Sequence, residues 1–175
     1  MIYLARHGQT PDNEEGRFQG WSEIALTELG IEQAGRLADE VAALGPGLLV
    51  SSSLERALQT ARIVGEKTGL EALVEPRLAE TDTGEWTHRS FDEVIAEDPE
   101  GFRSFVELDE AWAFPGGESF TGQAARIEEA LGELTRRQSD FPIVVVCHRN
   151  VIRLALRARG REPDEMPENG SLVQL

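Results

Sequence analysis

The chain contains a single cysteine, Cys147, so no disulfide can close within it and nothing in its composition points to an oxidising compartment. Lysine is almost missing: of the 17 basic residues only Lys67 is lysine, and the other 16 are arginine. An arginine here carries little information by type alone, and its position must do the arguing. Net positive charge is absent as well. With 32 acidic residues the formal charge is −15, which excludes nucleic acid or an anionic membrane as a general partner but leaves room for a small anion at a local site. No apolar run approaches the roughly 20 residues of a membrane span. The first residues lack a basic segment followed by a long apolar one, so a soluble, cytoplasmic protein is expected. Three histidines and one cysteine, scattered without ligand spacing, give no reason to expect a metal or any other cofactor.

What is present is an alternation of strand-like and helix-like runs within a length suited to one domain, 1–175. Residues 2–5 form a short apolar run that enters a polar loop over 8–20. Thr27 is an N-cap for a helix with Ile31, Ala34, Leu37, Ala38, Val41 and Leu44 on its apolar face, stopped by Gly45-Pro46-Gly47. Residues 48–50 read as a second buried strand. A helix follows, with Leu54, Ala57, Leu58, Ala61 and Val64 at helical spacing and Gly69 at its end, and then a weak strand over 72–74. The stretch 81–117 holds Trp86, Trp112 and Phe114 and two short helices near 91–96 and 102–108; it reads as an insertion over the active-site end of the sheet. Phe120, Ala124, Ile127, Leu131 and Leu134 mark a long amphipathic helix. Residues 141–146 make the clearest strand, apolar and rich in β-branched side chains, hence central and parallel. A helix over 151–159 and a closing strand over 172–175 complete an α/β fold: a three-layer α/β/α sandwich around a mostly parallel sheet.

Ligands of parallel α/β sheets bind beyond the carboxyl ends of the strands. Three such positions are dense in polar groups: Arg6-His7-Gly8-Gln9-Thr10, Ser51-Ser52-Ser53 with Arg56, and Cys147-His148-Arg149-Asn150. Two of the three histidines thus fall at the tips of two buried strands with arginines beside them. That set suits phosphoryl transfer. A neutral imidazole is a good nucleophile that splits hydrolysis into two easier displacements. Guanidinium groups hold phosphoryl oxygens two at a time, and their charge keeps a neighbouring imidazole deprotonated. Cys147, on a buried strand, reads as an inert core thiol, and His88 as an exposed loop residue.

The chain resembles the histidine phosphatase superfamily, also called phosphoglycerate mutase-like. Five blocks carry the likeness, in the family's order: Arg6-His7-Gly8-Gln9-Thr10 with Asn13, then Gln19-Gly20-Trp21 and Leu26-Thr27-Glu28-Leu29-Gly30; Ser51 through Ala61; Leu78-Ala79-Glu80 with Gly84 and Trp86; Gly116-Gly117-Glu118-Ser119; and Val144 through His148 with Val151-Ile152-Arg153. The resemblance implies a metal-independent phosphatase acting on a small phosphorylated metabolite through a phosphohistidine intermediate on His7. It implies that Arg6, Arg56 and His148 bind the phosphoryl oxygens and that Glu80 is the proton donor and then the base. Asn13, Gln19 and Gly20 match positions that reach the phosphate or substrate. Phosphoglycerate mutase-type transfer and non-catalytic binding of a phospho-ligand are the alternatives. The sequence departs from the family's common pattern at Arg149, where glycine is frequent, and at Trp86-Thr87-His88, where Trp-Glu-Gly is frequent. Arg149 is therefore expected either to add substrate charge recognition or to crowd the pocket.

Overall fold

The computed structural model describes residues 1–137, 140–161 and 167–175. In chain order its elements are β1 (Ile2–Arg6), α1 (Pro11–Glu14), α2 (Glu28–Leu44), β2 (Leu48–Ser51), α3 (Glu55–Thr68), β3 (Leu73–Val74), α4 (Phe91–Glu97), α5 (Pro99–Glu107), α6 (Phe120–Arg136), β4 (Ile143–Cys147), α7 (Arg149–Arg157) and β5 (Leu172–Gln174). Single 3₁₀ turns at Pro76–Leu78 and Gly84–Trp86 lie between β3 and α4.

The strands form one sheet in the order β3-β2-β4-β1-β5. All pairings are parallel except that of β5 with β1. Alternation along β4 sorts its side chains to two faces, as the two-residue period of a strand requires. Ile143, Val145 and Cys147 join the core beneath α6 and α7, which includes Ile127, Leu131, Val151 and Ile152. Val144 and Val146 join the core beneath α2 and α3, which includes Leu37, Val41, Ala57 and Val64. The chain is thus a three-layer α/β/α fold, with β4 central.

Three expectations shift in detail. The central strand begins at Ile143 rather than 141: Pro142 has no N–H for the ladder, and Phe141 is 61% exposed. Ile31 is 53% exposed and leaves the core face of α2. The buried place one turn before Ala34 belongs instead to Gly30, because the loop after β1 lies directly on it. A Cβ at Gly30 would stand 2.1 Å from the Gln9 carbonyl oxygen, and one at Gly8 would stand 2.2 Å from the Gly30 oxygen. Two glycines facing each other let the His7 loop rest on the helix backbone. Finally, the last helix starts at Arg149 rather than 151. Thr27 caps α2 as expected, its side chain accepting from the Gly30 N–H, and Gly45 ends it at φ 61°.

The segment holding α4 and α5 builds a small aromatic core beside the carboxyl end of the sheet. Phe18 contacts the rings of Trp86, Phe91, Phe105 and Phe114 at centroid distances of 5.1, 4.8, 5.0 and 6.2 Å. Trp112 stacks against Trp86 and Phe114, so both tryptophans of this segment serve packing.

Candidate active site

Register places the two histidines together. β1 and β4 are parallel with Arg6 opposite Cys147, so the next residues, His7 and His148, leave the sheet side by side. Their rings lie 5.1 Å apart, and both are buried. β2 ends one strand further along, where the Ser52 hydroxyl meets His148 Nε2 at 2.7 Å.

The tautomer of His7 follows from its partner. Nδ1 lies 2.7 Å from the Gly8 carbonyl oxygen, which can only accept, so Nδ1 carries the proton and Nε2 keeps its lone pair. Burial, then Arg56 and Arg6, hold the His7 pKa well below its ordinary 6.5. The ring is therefore neutral near neutral pH, with the lone pair of Nε2 available. Burial likewise holds His148 well below 6.5, with Arg56 next in effect. Its Nδ1 is buried with no hydrogen-bond partner among the described residues.

Three arginines surround this pair. Arg6 donates from Nη1 to the Pro167 carbonyl at 2.7 Å, and its buried Nε has no partner among the described residues. Arg56 is wholly buried at the start of α3, donating from Nη2 to Gly20 O and from Nη1 to Ser22 O at 2.8 and 3.0 Å. Its Nε too has no partner among the described residues. Burial, then Arg149, pull Arg6 down to about 10, and burial pulls Arg56 to about 10. Both stay charged at neutral pH. Arg149 opens α7 and lowers in pKa with burial, its guanidinium 5.9 Å from the Phe105 ring centroid. Among the described residues none of the three forms an ion pair, although Arg17, Arg77, Arg89, Arg126 and Arg159 all do.

Arg6, His7, Asn13, Gln19, Gly20, Glu80, Arg149 and Asn150 line one cleft of about 210 Å³, with Phe18, Phe91 and Phe105 along its side. Arg56 and His148 do not line it; they lie against His7 within the protein. The amides of Asn13 and Gln19 are oriented by α1 and its cap. Asn13 Oδ1 accepts from the Thr10 N–H and from Asn169 Nδ2, while Gln19 Oε1 accepts from the Thr10 hydroxyl. Their carbonyl ends are thereby engaged within the protein, while no bond occupies their NH₂ donors among the described residues.

Glu80 is fixed at both ends. Its Oε1 accepts from the Thr81 N–H at 2.9 Å and from Gln123 Nε2 at 3.4 Å, and its Oε2 faces the Asn150 N–H at 3.4 Å. Thr81 Oγ1 donates to Gln123 Oε1 and accepts from Asn150 Nδ2, closing a buried ring of polar groups behind the carboxylate. The Glu80 carbonyl accepts from Trp21 Nε1 at 2.7 Å and from Arg126, a residue outside every motif of the chain. Arg126 donates to the carbonyls of Arg77, Ala79 and Glu80 at 2.6, 2.7 and 2.8 Å and is bidentate to Glu118. Thr60, inside the Ser51–Ala61 block, had no role assigned to it: its hydroxyl accepts from the Gly8 N–H and donates to Arg56 O, tying the His7 loop to α3. Glu118 likewise lies in a motif, Gly116-Gly117-Glu118-Ser119, whereas Arg126 lies in none. His88 is exposed at φ 66° and meets Asp12 at 3.0 Å, outside the cleft. Burial raises the Cys147 thiol pKa, leaving it inert.

A family model, Histidine phosphatase superfamily (branch 1), matches residues 2–174. A glucosyl-3-phosphoglycerate phosphatase of Mycolicibacterium vanbaalenii is 37% identical, over 99% of this chain and 83% of the relative. A probable phosphoglycerate mutase of Enterobacter sp. is 34% identical, over 85% of this chain and 69% of the relative. Among solved structures, a mycobacterial glucosyl-3-phosphoglycerate phosphatase complexed with VO3 superposes with a TM-score of 0.89 at 34% identity, covering 98% of this chain and 88% of that one.

Proposed function

Because the chain belongs to branch 1 of the histidine phosphatase superfamily, we propose that its phosphatase chemistry runs through a phosphohistidine at His7 Nε2. The protein is a hydrolase of small phosphorylated metabolites. The observation that carries the mechanism is the gathering of Arg6, Arg56 and Arg149 beside a neutral imidazole, with no ion pair among the described residues and Glu80 as their nearby carboxylate. In a chain of charge −15 such a local concentration of guanidinium groups suits a small anion.

His7 Nε2 attacks phosphorus in line, forming an N–P bond as the ester P–O bond breaks. Glu80 gives its proton to the departing oxygen. It then takes a proton from water as that water attacks phosphorus, the N–P bond breaks, and inorganic phosphate leaves with His7 neutral again. Arg6, with the Asn13 and Gln19 amides, binds the phosphoryl oxygens from the cleft. Arg56 and His148 add positive charge and a hydrogen-bond donor from beneath. Such fixed groups need no reorganisation as charge develops. If Ser52 donates to His148 Nε2, the His148 proton sits on Nδ1, the nitrogen without a partner. No helix among the described residues is long and apolar enough to cross a membrane.

The test is a rapid quench with ³²P-labelled substrate. Protein-bound label that is stable in alkali and lost in acid is expected, since a P–N bond has that lability. Label stable in acid, or none at any quench time with turnover proceeding, removes the covalent step. Release of inorganic phosphate, rather than an isomeric ester, is the expected product.

Arg126 offers a second measurement. Without it the Glu80 turn loses three carbonyl contacts. Arg126→Met is expected to lower kcat on an alkyl phosphate by about tenfold or more, at the lower edge of the range for general acid catalysis. Loss on a nitrophenyl phosphate, whose leaving group needs no proton, should be several-fold smaller. Equal losses on both would make Arg126 a structural residue only.

A further inference from the structure

Arg149 differs from the other arginines of the cleft in having nothing to hold. Arg17 at the rim is paired with Glu15 at 2.8 Å and donates to His88 O at 2.9 Å. Arg6 donates to Pro167 O and stands next to the nucleophile. Arg149 is half-buried, lies over the Phe105 ring at 5.9 Å, and its side chain makes no hydrogen bond or ion pair among the described residues. Burying a cation without a partner is costly, and an aromatic face recovers only a part of that cost. A ligand anion would recover more.

The position of Arg149 says which anion. It follows His148 directly, two residues beyond the strand end that pairs with Arg6, and it borders the same cleft as His7 and Glu80. The phosphoryl group on His7 is already served by Arg6, Arg56 and the amides of Asn13 and Gln19. Arg149 borders the cleft next to Asn150, whose N–H faces Glu80 Oε2 at 3.4 Å, so its guanidinium is close to the group that serves the departing oxygen. Resting on the phosphatase reading above, we propose that Arg149 binds a second anionic group carried by the leaving group, so that the preferred substrates are small phosphate monoesters with a carboxylate or a second phosphate a few carbons away. One extra charge pair at an effective dielectric of about 20 and about 6–8 Å is diminished by desolvation and ordering to a preference of about fivefold to tenfold.

The test measures binding, so that it does not depend on turnover. Titration calorimetry compares propylphosphonate, 3-phosphonopropionate and 1,3-propanediyl bisphosphonate on the full chain. The wild type is expected to favour the doubly anionic ligands by about fivefold or more. Arg149→Met should bring that ratio close to one, and Arg149→Lys should keep part of it. The tighter of the two doubly anionic ligands tells carboxylate from phosphate. A wild-type ratio near one, or the same ratio in wild type and Arg149→Met, overturns the assignment; if Arg149→Met does not fold, Arg149→Gln takes its place. A ratio that behaves as expected in a protein that hydrolyses none of the matching esters would preserve the second-anion subsite and sink the phosphatase mechanism instead.

Discussion

His7→Ala is expected to lower kcat by at least about a thousandfold, the scale on which removing a covalent nucleophile acts. The side chain is buried and makes a single hydrogen bond, to the carbonyl of its own neighbour Gly8, so its removal breaks no link between elements. The loop is held by other contacts: Gly8 N–H to Thr60, His7 N–H to the Cys147 carbonyl, and His7 O to Asn169. Far-ultraviolet circular dichroism should therefore be unchanged. Orthovanadate or phosphate should still bind, within about tenfold of wild type, because charge-assisted contacts from the arginines supply most of the attraction. Retention of more than a few per cent of the wild-type kcat would remove His7 as nucleophile. Loss of anion binding in step with kcat would make it a ligand rather than a reactant.

Acid is expected to destabilise the free protein well before its carboxylates are neutralised. His7 and His148 have folded pKa values well below 6.5, whereas in the unfolded chain they titrate near 6.5. As pH falls through 6.5 the unfolded state takes up two protons that the folded state refuses, so stability rises with pH across this window and levels off above it. Each histidine contributes about 1.4 kcal/mol per pH unit once fully below 6.5. Between pH 7.5 and 5.5 the two together cost on the order of a few kcal/mol, a large share of an ordinary domain's stability. Urea unfolding in phosphate-free buffer measures it. His7→Ala should halve the slope, and a flat profile in the wild type would show that the rings are protonated in the folded protein.

The sheet was readable because its strands carry the densest apolar and β-branched runs, and because each helix has a repeating apolar face. Errors arose where backbone contact, rather than periodicity, decided the outcome: Ile31 lost its place to Gly30, and Pro142 cut short the central strand. The catalytic pair was legible for a related reason, since two histidines at strand tips can be placed without knowing the register. Register then set their separation. Arg126, Thr60, Asn169 and Gln123 could not be found in this way. Their contacts with the His7 loop and the Glu80 turn span 42 to 162 positions of the chain, and a polar side chain on a helix face looks the same whether it meets water or a buried turn. Arg56 was placed correctly on the first turn of its helix, but nothing in the sequence showed that loop carbonyls would occupy both its terminal nitrogens.

The strand order has a consequence for how the protein comes into being. β1, which leads directly into His7, has two neighbours, β4 and β5, and both lie beyond residue 142. β1 and β2 never touch as strands; β4 separates them. At synthesis rates of about 5–20 residues per second, β1 thus waits on the order of ten seconds outside the ribosome with both edges bare. Such long-range parallel pairing is slow to form, because loop-closure entropy is lost before any contact compensates it. Sheet closure and assembly of the histidine pair are consequently one event, the insertion of a five-residue strand into a waiting gap. A nascent chain arrested before β4 has neither a continuous sheet nor a competent centre, and it presents bare strand edges to whatever surrounds it.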